Sequence, residues 1–236
     1  MIWSPWRGCK RVSEGCRYCY THKGDKKRNV NTSDIVKTND FKKLVAKKQD
    51  GTYIVPSNQK VNVCFQSDFL IEEADLLREE CYQMMYERSD LSFLFLTKRI
   101  HRFGVGLPKN WGKGYPNVTV GVSVEDQKTV DERLSYFSSL PILHKNIICQ
   151  PLLERVDITP YLDGVELVVV GGEEDKNARV LDYDWVLDIK EQCKKHKVSF
   201  VFRQCGTHFL KDGKLYHLKR KDLMHQARLA KINHVF

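Results

Sequence analysis

The chain reads as an α/β protein built on a parallel sheet, and three features lead there. From residue 60 onward, short apolar runs alternate with amphipathic helical patterns, the signature of βαβ units. Each apolar run is followed by polar residues, as expected where loops converge at the carboxyl ends of parallel strands. A length of 236 residues with 42% hydrophobic content suffices for one large domain with a real core. Six or seven strands are expected, too few for a closed eight-stranded barrel, so the predicted architecture is a partial (βα)6-type TIM barrel.

Taken in order, a first strand is expected over residues 2–6. Residues 21–59 are polar and lysine-rich, with Gly51, Pro56 and Ser57 marking turns. Within that stretch, residues 36–48 fit a helix that places Phe41, Leu44 and Val45 on one face. The segment at about 21–60 therefore reads as an insertion on the rim of the fold. Strands follow at 61–65, 92–96, 118–124, 146–149, 165–170 and 198–202, because each is a short β-branched or aromatic run bounded by turn residues. Helices are expected at 71–88, 125–140 and 183–196 from their 3.6-residue apolar period. Residues 207–236 form a basic extension, and the whole of 1–236 reads as a single domain.

The formal net charge is +9, with lysine and arginine concentrated between Lys23 and Lys60 and again between Lys211 and Lys231. Such a surface attracts polyanions, although a lysine run is also an ordinary solvated face. No run of eighteen apolar residues occurs, and Met1-Ile2-Trp3 does not open a leader with a basic then an apolar region. No membrane partner and a cytoplasmic location are expected. Several established chemistries lack their residues: there is no G-x-S-x-G elbow, phosphate loop or H-E-x-x-H. Gly104-Val105-Gly106 lacks the third glycine of a dinucleotide fingerprint.

Three of the eight cysteines lie within eleven residues, as Cys9-x6-Cys16-x2-Cys19. Two thiols separated by two residues can face one centre across a tight turn, and Cys9 can reach it over the loop containing Gly15. A closed all-cysteine zinc site usually has two C-x2-C pairs, and no second pair exists here. Structural zinc would need His22 or Cys64 as a fourth ligand. An iron–sulfur cubane held by three thiolates instead leaves one iron open. Cys64, Cys81, Cys149, Cys193 and Cys205 are scattered, several within apolar runs, and read as reduced core cysteines.

Pro5-Trp6-x-Gly8-Cys9-x6-Cys16-x2-Cys19-Tyr20 resembles the cluster loop of the phage Gp37/Gp68-like (DUF5131) family, itself similar to radical S-adenosylmethionine (SAM) enzymes of the spore photoproduct lyase branch. The likeness extends through Ser67-Asp68-Phe69-Leu70, Leu96-Thr97-Lys98-Arg99, Gly121-Val122-Ser123-Val124-Glu125, Pro151-Leu152-Leu153 and Val170-Gly171-Gly172-Glu173. The sequence departs from the usual pattern in three places. Its first cysteine gap holds six residues rather than the usual three, Gln150 stands where a glutamate is expected, and Cys205 stands where a tryptophan is expected.

The resemblance implies a radical-SAM-like fold and a 4Fe-4S cluster held by Cys9, Cys16 and Cys19. It further implies S-adenosyl-L-methionine chelated at the open iron and cleaved by one electron to methionine and a 5'-deoxyadenosyl radical, which abstracts a substrate hydrogen. Cofactor contacts are assigned to Ser67 and Asp68 after the second strand, Lys98 after the third, and Ser123 and Glu125 at the fourth. Gln150 after the fifth strand and Gly171, Gly172 and Glu173 after the sixth complete the set. Helix capping is the alternative role for Asp68 and Glu125, and a strand-ending turn for Gly171-Gly172. The implied partners are a reductase or flavodoxin/ferredoxin-type electron donor, a nucleic acid or nucleotide-derived substrate, and a three-Cys-motif partner protein. The alternatives are a zinc-containing nucleic-acid-binding protein and a cluster-binding relative without SAM cleavage.

Overall fold

A computed structural model describes residues 1–236. Its strands and helices are, in chain order, β1 (Ile2–Trp3), β2 (Trp6–Arg7), α1 (Tyr20–Lys27), β3 (Val36–Lys37), β4 (Lys60–Val63), α2 (Asp75–Glu87), β5 (Ser92–Thr97) and β6 (Val118–Ser123). They continue with α3 (Gln127–Ser138), β7 (His144–Cys149), β8 (Val165–Gly171), β9 (Leu181–Asp182), α4 (Tyr183–Lys195), β10 (Ser199–Gln204), β11 (His208–Lys211), β12 (Lys214–His217) and α5 (Leu223–Leu229).

Seven strands form one sheet in the order β1-β4-β5-β6-β7-β8-β10. The pairs β1/β4, β4/β5, β7/β8 and β8/β10 are parallel, with registers such as Trp3↔Val63 and Val61↔Phe93. The expected parallel α/β organisation is therefore present. The sheet runs open from β1 to β10 and no closed barrel is found.

Two compact units divide the chain. The first comprises Met1–Arg11, Thr21–Gly121 and Leu140–His144, and the second Val12–Tyr20, Val122–Ser139 and Lys145–Phe236. The first is centred on aromatic side chains. Trp6 stacks on Phe69 at 5.4 Å, and Phe69 meets Phe95 at 4.7 Å and Tyr82 at 5.2 Å. Trp111 joins Tyr82 to Tyr115. All six of these rings are buried, so the cluster fixes Trp6, three residues before Cys9. In the second unit, Ile147, Val168, Val170, Phe200 and Phe202 of the sheet are buried together with Val186, Ile189 and Cys193 of α4.

Two expectations are corrected, and two further segments show elements that the sequence reading did not assign. The first strand ends at Trp3, because Pro5 has no N–H to continue a ladder; β2 then turns to pair antiparallel with β3, Trp6 opposite Lys37. Residues 36–48 are not a helix: after β3 they form turns closed by short-range backbone bonds. The buried Phe41 and Leu44 mimic a helical period, but the Leu44 carbonyl is taken by the Arg88 guanidinium instead of a helical N–H. Helix α1 falls in a stretch with no apolar period. Residues 207–236 contain β11 and β12, which with β9 make a three-stranded sheet, and α5. The C-terminal tail also exchanges backbone bonds between Phe200 and His234, at 2.9 and 3.1 Å, which covers part of the β10 edge.

Arg88 organises the lysine-rich segment. It is wholly buried and also donates to the Val55 carbonyl at 2.8 Å and to Asp90 at 2.8 Å, under the Tyr53 ring. Arg88→Met should lower the stability of the first unit by about 3 kcal/mol, since buried carbonyls lose a charged donor. A urea melt measures this, and a loss below about 1 kcal/mol would contradict the role given to Arg88.

Candidate functional site

The polar residues at the strand ends hold the backbone of the cysteine stretch through arginines, and this is clearest at Asp68. Its carboxylate is buried just beyond β4 and accepts from Thr97 Oγ1 at 2.7 Å, the Lys98 N–H at 3.0 Å, the Leu70 N–H at 2.9 Å and Arg99 Nη1 at 3.1 Å. Arg99 extends the connection: its Nη2 donates to the Lys10 carbonyl at 2.7 Å. Ser67 Oγ donates to the Gly8 carbonyl. Both carbonyls flanking Cys9 are thus anchored to the ends of β4 and β5. The Cys9 N–H itself donates to the Thr32 carbonyl at 2.7 Å. Gly8 is needed here, at φ +94° and with a Cβ position 2.3 Å from the Asp34 carbonyl oxygen.

The second unit repeats the device on residues 13–16. Glu125, fully buried at the end of β6, binds Arg133 Nη1 at 2.6 Å and accepts from the Ser13 hydroxyl. Arg133 also donates to the Ser123 carbonyl at 2.7 Å. Gly15 lies directly on the Glu125 carboxylate, where a Cβ would come within 2.6 Å of Oε1. Glu173, past β8, forms a two-pronged pair with Arg179, which donates through Nη2 to the Glu14 carbonyl at 2.8 Å. Tyr18 lies beneath the Arg179 and Arg17 guanidinium groups, 5.9 and 5.5 Å from its ring centre. Partnership with Glu173 raises the Arg179 pKa further, so this cation keeps its charge at any working pH.

Neither Asp68 nor Glu125 caps a long helix; Asp126 caps α3, accepting from the Thr129 N–H at 2.8 Å. The remaining expected cofactor contacts differ in kind. Lys98 meets Asp68 through its backbone N–H, in the 3.0 Å bond given above. Gln150 packs against Gly171, whose Cβ position lies 3.0 Å from the Gln150 Cδ. Gly172 allows a close backbone crossing, its Cβ position 2.8 Å from the Gly206 Cα, and its carbonyl accepts from the Gln204 amide. The two glycines thus have a demonstrable packing role.

The cysteines separate into two classes, and none is disulfide-bonded. Cys64, Cys81, Cys149, Cys193 and Cys205 are buried, and desolvation raises all five thiols, Cys193 and Cys205 to about 12. Cys9 and Cys19 are half-buried, whereas Cys16 is 8% exposed. Cys16 and Cys19 bracket one turn, with the Cys19 N–H donating to the Cys16 carbonyl at 3.3 Å. The donor chemistry of this stretch, three closely spaced thiols of which Cys9 and Cys19 are half-buried, fits a thiophilic metal or an iron–sulfur cluster. No three His, Cys, Asp or Glu side chains converge as a ready metal-binding group.

Arg133, Arg179 and Ser13 belong to this hydrogen-bonded support of the loop, and sequence reasoning misses them. Arg133 carries a readable signal, since it shares the apolar face of α3 with Val130, Leu134 and Phe137. Arg179 lies in a loop without periodicity and carries none.

The family model described as "Protein of unknown function (DUF5131)" matches residues 1–231. No curated protein and no solved structure is significantly similar to the chain. No helix is long and apolar enough to cross a membrane.

Removing the Arg179 tether should free the 14–16 turn. In Arg179→Ala, iodoacetamide should modify Cys16 at least about fivefold faster, the effect expected from losing hydrogen bonds of about 1 kcal/mol each. Peptide mass spectrometry reads the rate, with buried Cys149 as internal reference. An unchanged rate would show that Arg179 does not restrain the turn.

Proposed function

The chain belongs to the DUF5131 family, and from that membership and the restrained cysteine stretch we propose that it is a radical-SAM enzyme. In this reading Cys9, Cys16 and Cys19 hold a 4Fe-4S cluster, with S-adenosyl-L-methionine as second cofactor. One observation carries the proposal: three thiols, Cys9 and Cys19 half-buried and Cys16 buried, lie within eleven residues of a loop held by carboxylate–arginine pairs. Buried ion pairs carry a heavy desolvation penalty and are an inefficient way to fold a surface loop, so their concentration there indicates that the loop's position matters for function. When bound, the cluster and the sulfonium cofactor would together supply one-electron, hydrogen-abstracting chemistry.

The chain's own residues have distinct tasks. Asp68 and Glu173 position the loop through Arg99 and Arg179, Glu125, held by Arg133, meets the Ser13 hydroxyl directly, and Ser67 reinforces them. Lys98, Gln150 and the backbone at Ser123, Gly171 and Gly172 are proposed to meet the amino acid, ribose and adenine parts of the cofactor. The fold proposed for this chemistry is the partial (βα)6 barrel of radical-SAM enzymes. A flavodoxin- or ferredoxin-type reductase would deliver the electron. The substrate is proposed to be nucleic acid or nucleotide-derived, in keeping with the net charge of +9. A three-Cys-motif protein is the proposed protein partner, and the cytoplasm the proposed location.

Structural zinc with Cys64 as fourth ligand is the weaker reading, because that thiol is wholly buried and pushed up by desolvation; His22 is the other fourth ligand the zinc reading allows. The experiment is anaerobic reconstitution with iron and sulfide, then dithionite reduction with SAM and chromatography for 5'-deoxyadenosine. Product is expected from the native chain and none from Cys16→Ala. A loaded cluster without product would instead identify a relative that has lost SAM cleavage, and zinc without sulfide would identify the binding module.

A further inference from the structure

A polar cleft of about 550 Å³ opens in the first unit beside the segment that receives the Cys9 N–H. Its rim is Arg11, His22, Lys26, Asn29, Asn31 and Ser33, with Val30 and Thr32 completing the lining. No carboxylate lines it. Buried Asp25, next to Lys26 in sequence, is paired with Arg28, and Asp34, next to Ser33, accepts from the Asn31 amide at 2.9 Å. Burial, followed by the Arg11 charge, lowers the His22 pKa, while Asp25 opposes the shift. His22 is therefore a neutral hydrogen-bonding group at pH 7, and Arg11 and Lys26 supply the positive charge.

The frame of the cleft is fixed. Thr32 is buried, its carbonyl accepts the Cys9 N–H at 2.7 Å, and the Val30 N–H donates to the Asp25 carbonyl at 3.0 Å. Exposed Arg11 and Lys26 thus project from a braced backbone, and Arg11 follows Cys9 by two residues. Two cations together with amide and hydroxyl groups, and no acid, form a site for an oxyanion. The cleft is open and polar, unlike the enclosed, mostly apolar pockets that hold free small molecules. A groove of that kind suits a chain of phosphates that enters and leaves it.

We propose that this cleft is a phosphate-binding subsite for the sugar–phosphate backbone of a single-stranded nucleic acid. The subsite deepens the substrate class named above, and it rests on that reading only for the claim that the bound strand is the substrate. Binding itself requires neither cluster nor SAM.

The test is fluorescence anisotropy of a labelled oligodeoxythymidylate strand with the full chain, over about 50 to 200 mM salt. The variants are Arg11→Ala/Lys26→Ala, the charge-preserving Arg11→Lys/Lys26→Arg, and a control, Lys194→Ala/Lys195→Ala, at the exposed end of α4. The alanine pair in the cleft should weaken binding at least about tenfold. It should also lower the slope of log affinity against log salt by about 1.4, or about 0.7 for each phosphate no longer neutralised. The charge-preserving pair should retain most of the affinity, and the control should lose less than the cleft pair. Equal losses in the cleft and control pairs would reduce the effect to net charge and overturn the subsite. Native protein that does not bind the strand, or that releases it to equimolar inorganic phosphate, would overturn it as well. Because the assay runs with and without reconstituted cluster, failure here is separable from failure to cleave SAM.

Discussion

The buried pairing of Asp68 with Arg99 is the interaction on which the candidate site depends. Both side chains are nearly inaccessible. The carboxylate takes four hydrogen bonds from the ends of β4 and β5, while the guanidinium directs its other prong to the Lys10 carbonyl. A pair of this kind contributes little net stability against a well-packed apolar substitute, yet removing one member leaves an uncompensated charge. What it provides is position. The planar guanidinium presents donors in a fixed fork, so the location of the carboxylate determines the location of the loop carbonyl.

Glu173 with Arg179 applies the same logic in the second unit, and Glu125, held by Arg133, meets the Ser13 hydroxyl directly. Ser13, Gly15 and the Glu14 carbonyl are the points where the 13–16 turn is held. A loop whose Cys9 and Cys19 thiols are only half-buried is not positioned by hydrophobic packing alone. Strand ends bearing acidic residues provide rigid anchor points, and arginine has the length to span the gap. This also explains why the sequence pattern points to cofactor contacts at the same anchoring residues: acidic side chains at the carboxyl ends of parallel strands serve either purpose.

Much of the fold is legible in the sequence because the strand signal is local. The runs at 92–97, 118–123 and 165–171 are dense in β-branched and aromatic residues, and α2, α3 and α4 each have a clear apolar face. Where the sequence misleads, a longer-range interaction is responsible. Phe41 and Leu44 have helical spacing, but Arg88, 44 residues from Leu44, takes the carbonyl that a helix would need. Strands β11 and β12 alternate too weakly to be distinguished from a basic tail. The cysteine spacing identifies the candidate loop unaided, whereas its arginine supports, apart from Arg133 on an apolar helix face, become visible only in three dimensions. The charge of +9 indicates polyanion affinity but not its location; the Arg11–Lys26 cleft supplies a candidate location.

The most direct test of the central proposal is Mössbauer spectroscopy of protein reconstituted with ⁵⁷Fe, recorded before and after addition of SAM. Three thiolate ligands and one open iron should give a spectrum in which a single iron of the cluster changes its parameters when SAM is added. A cluster whose irons are all indifferent to SAM, or a chain that takes up zinc and no iron, would contradict it.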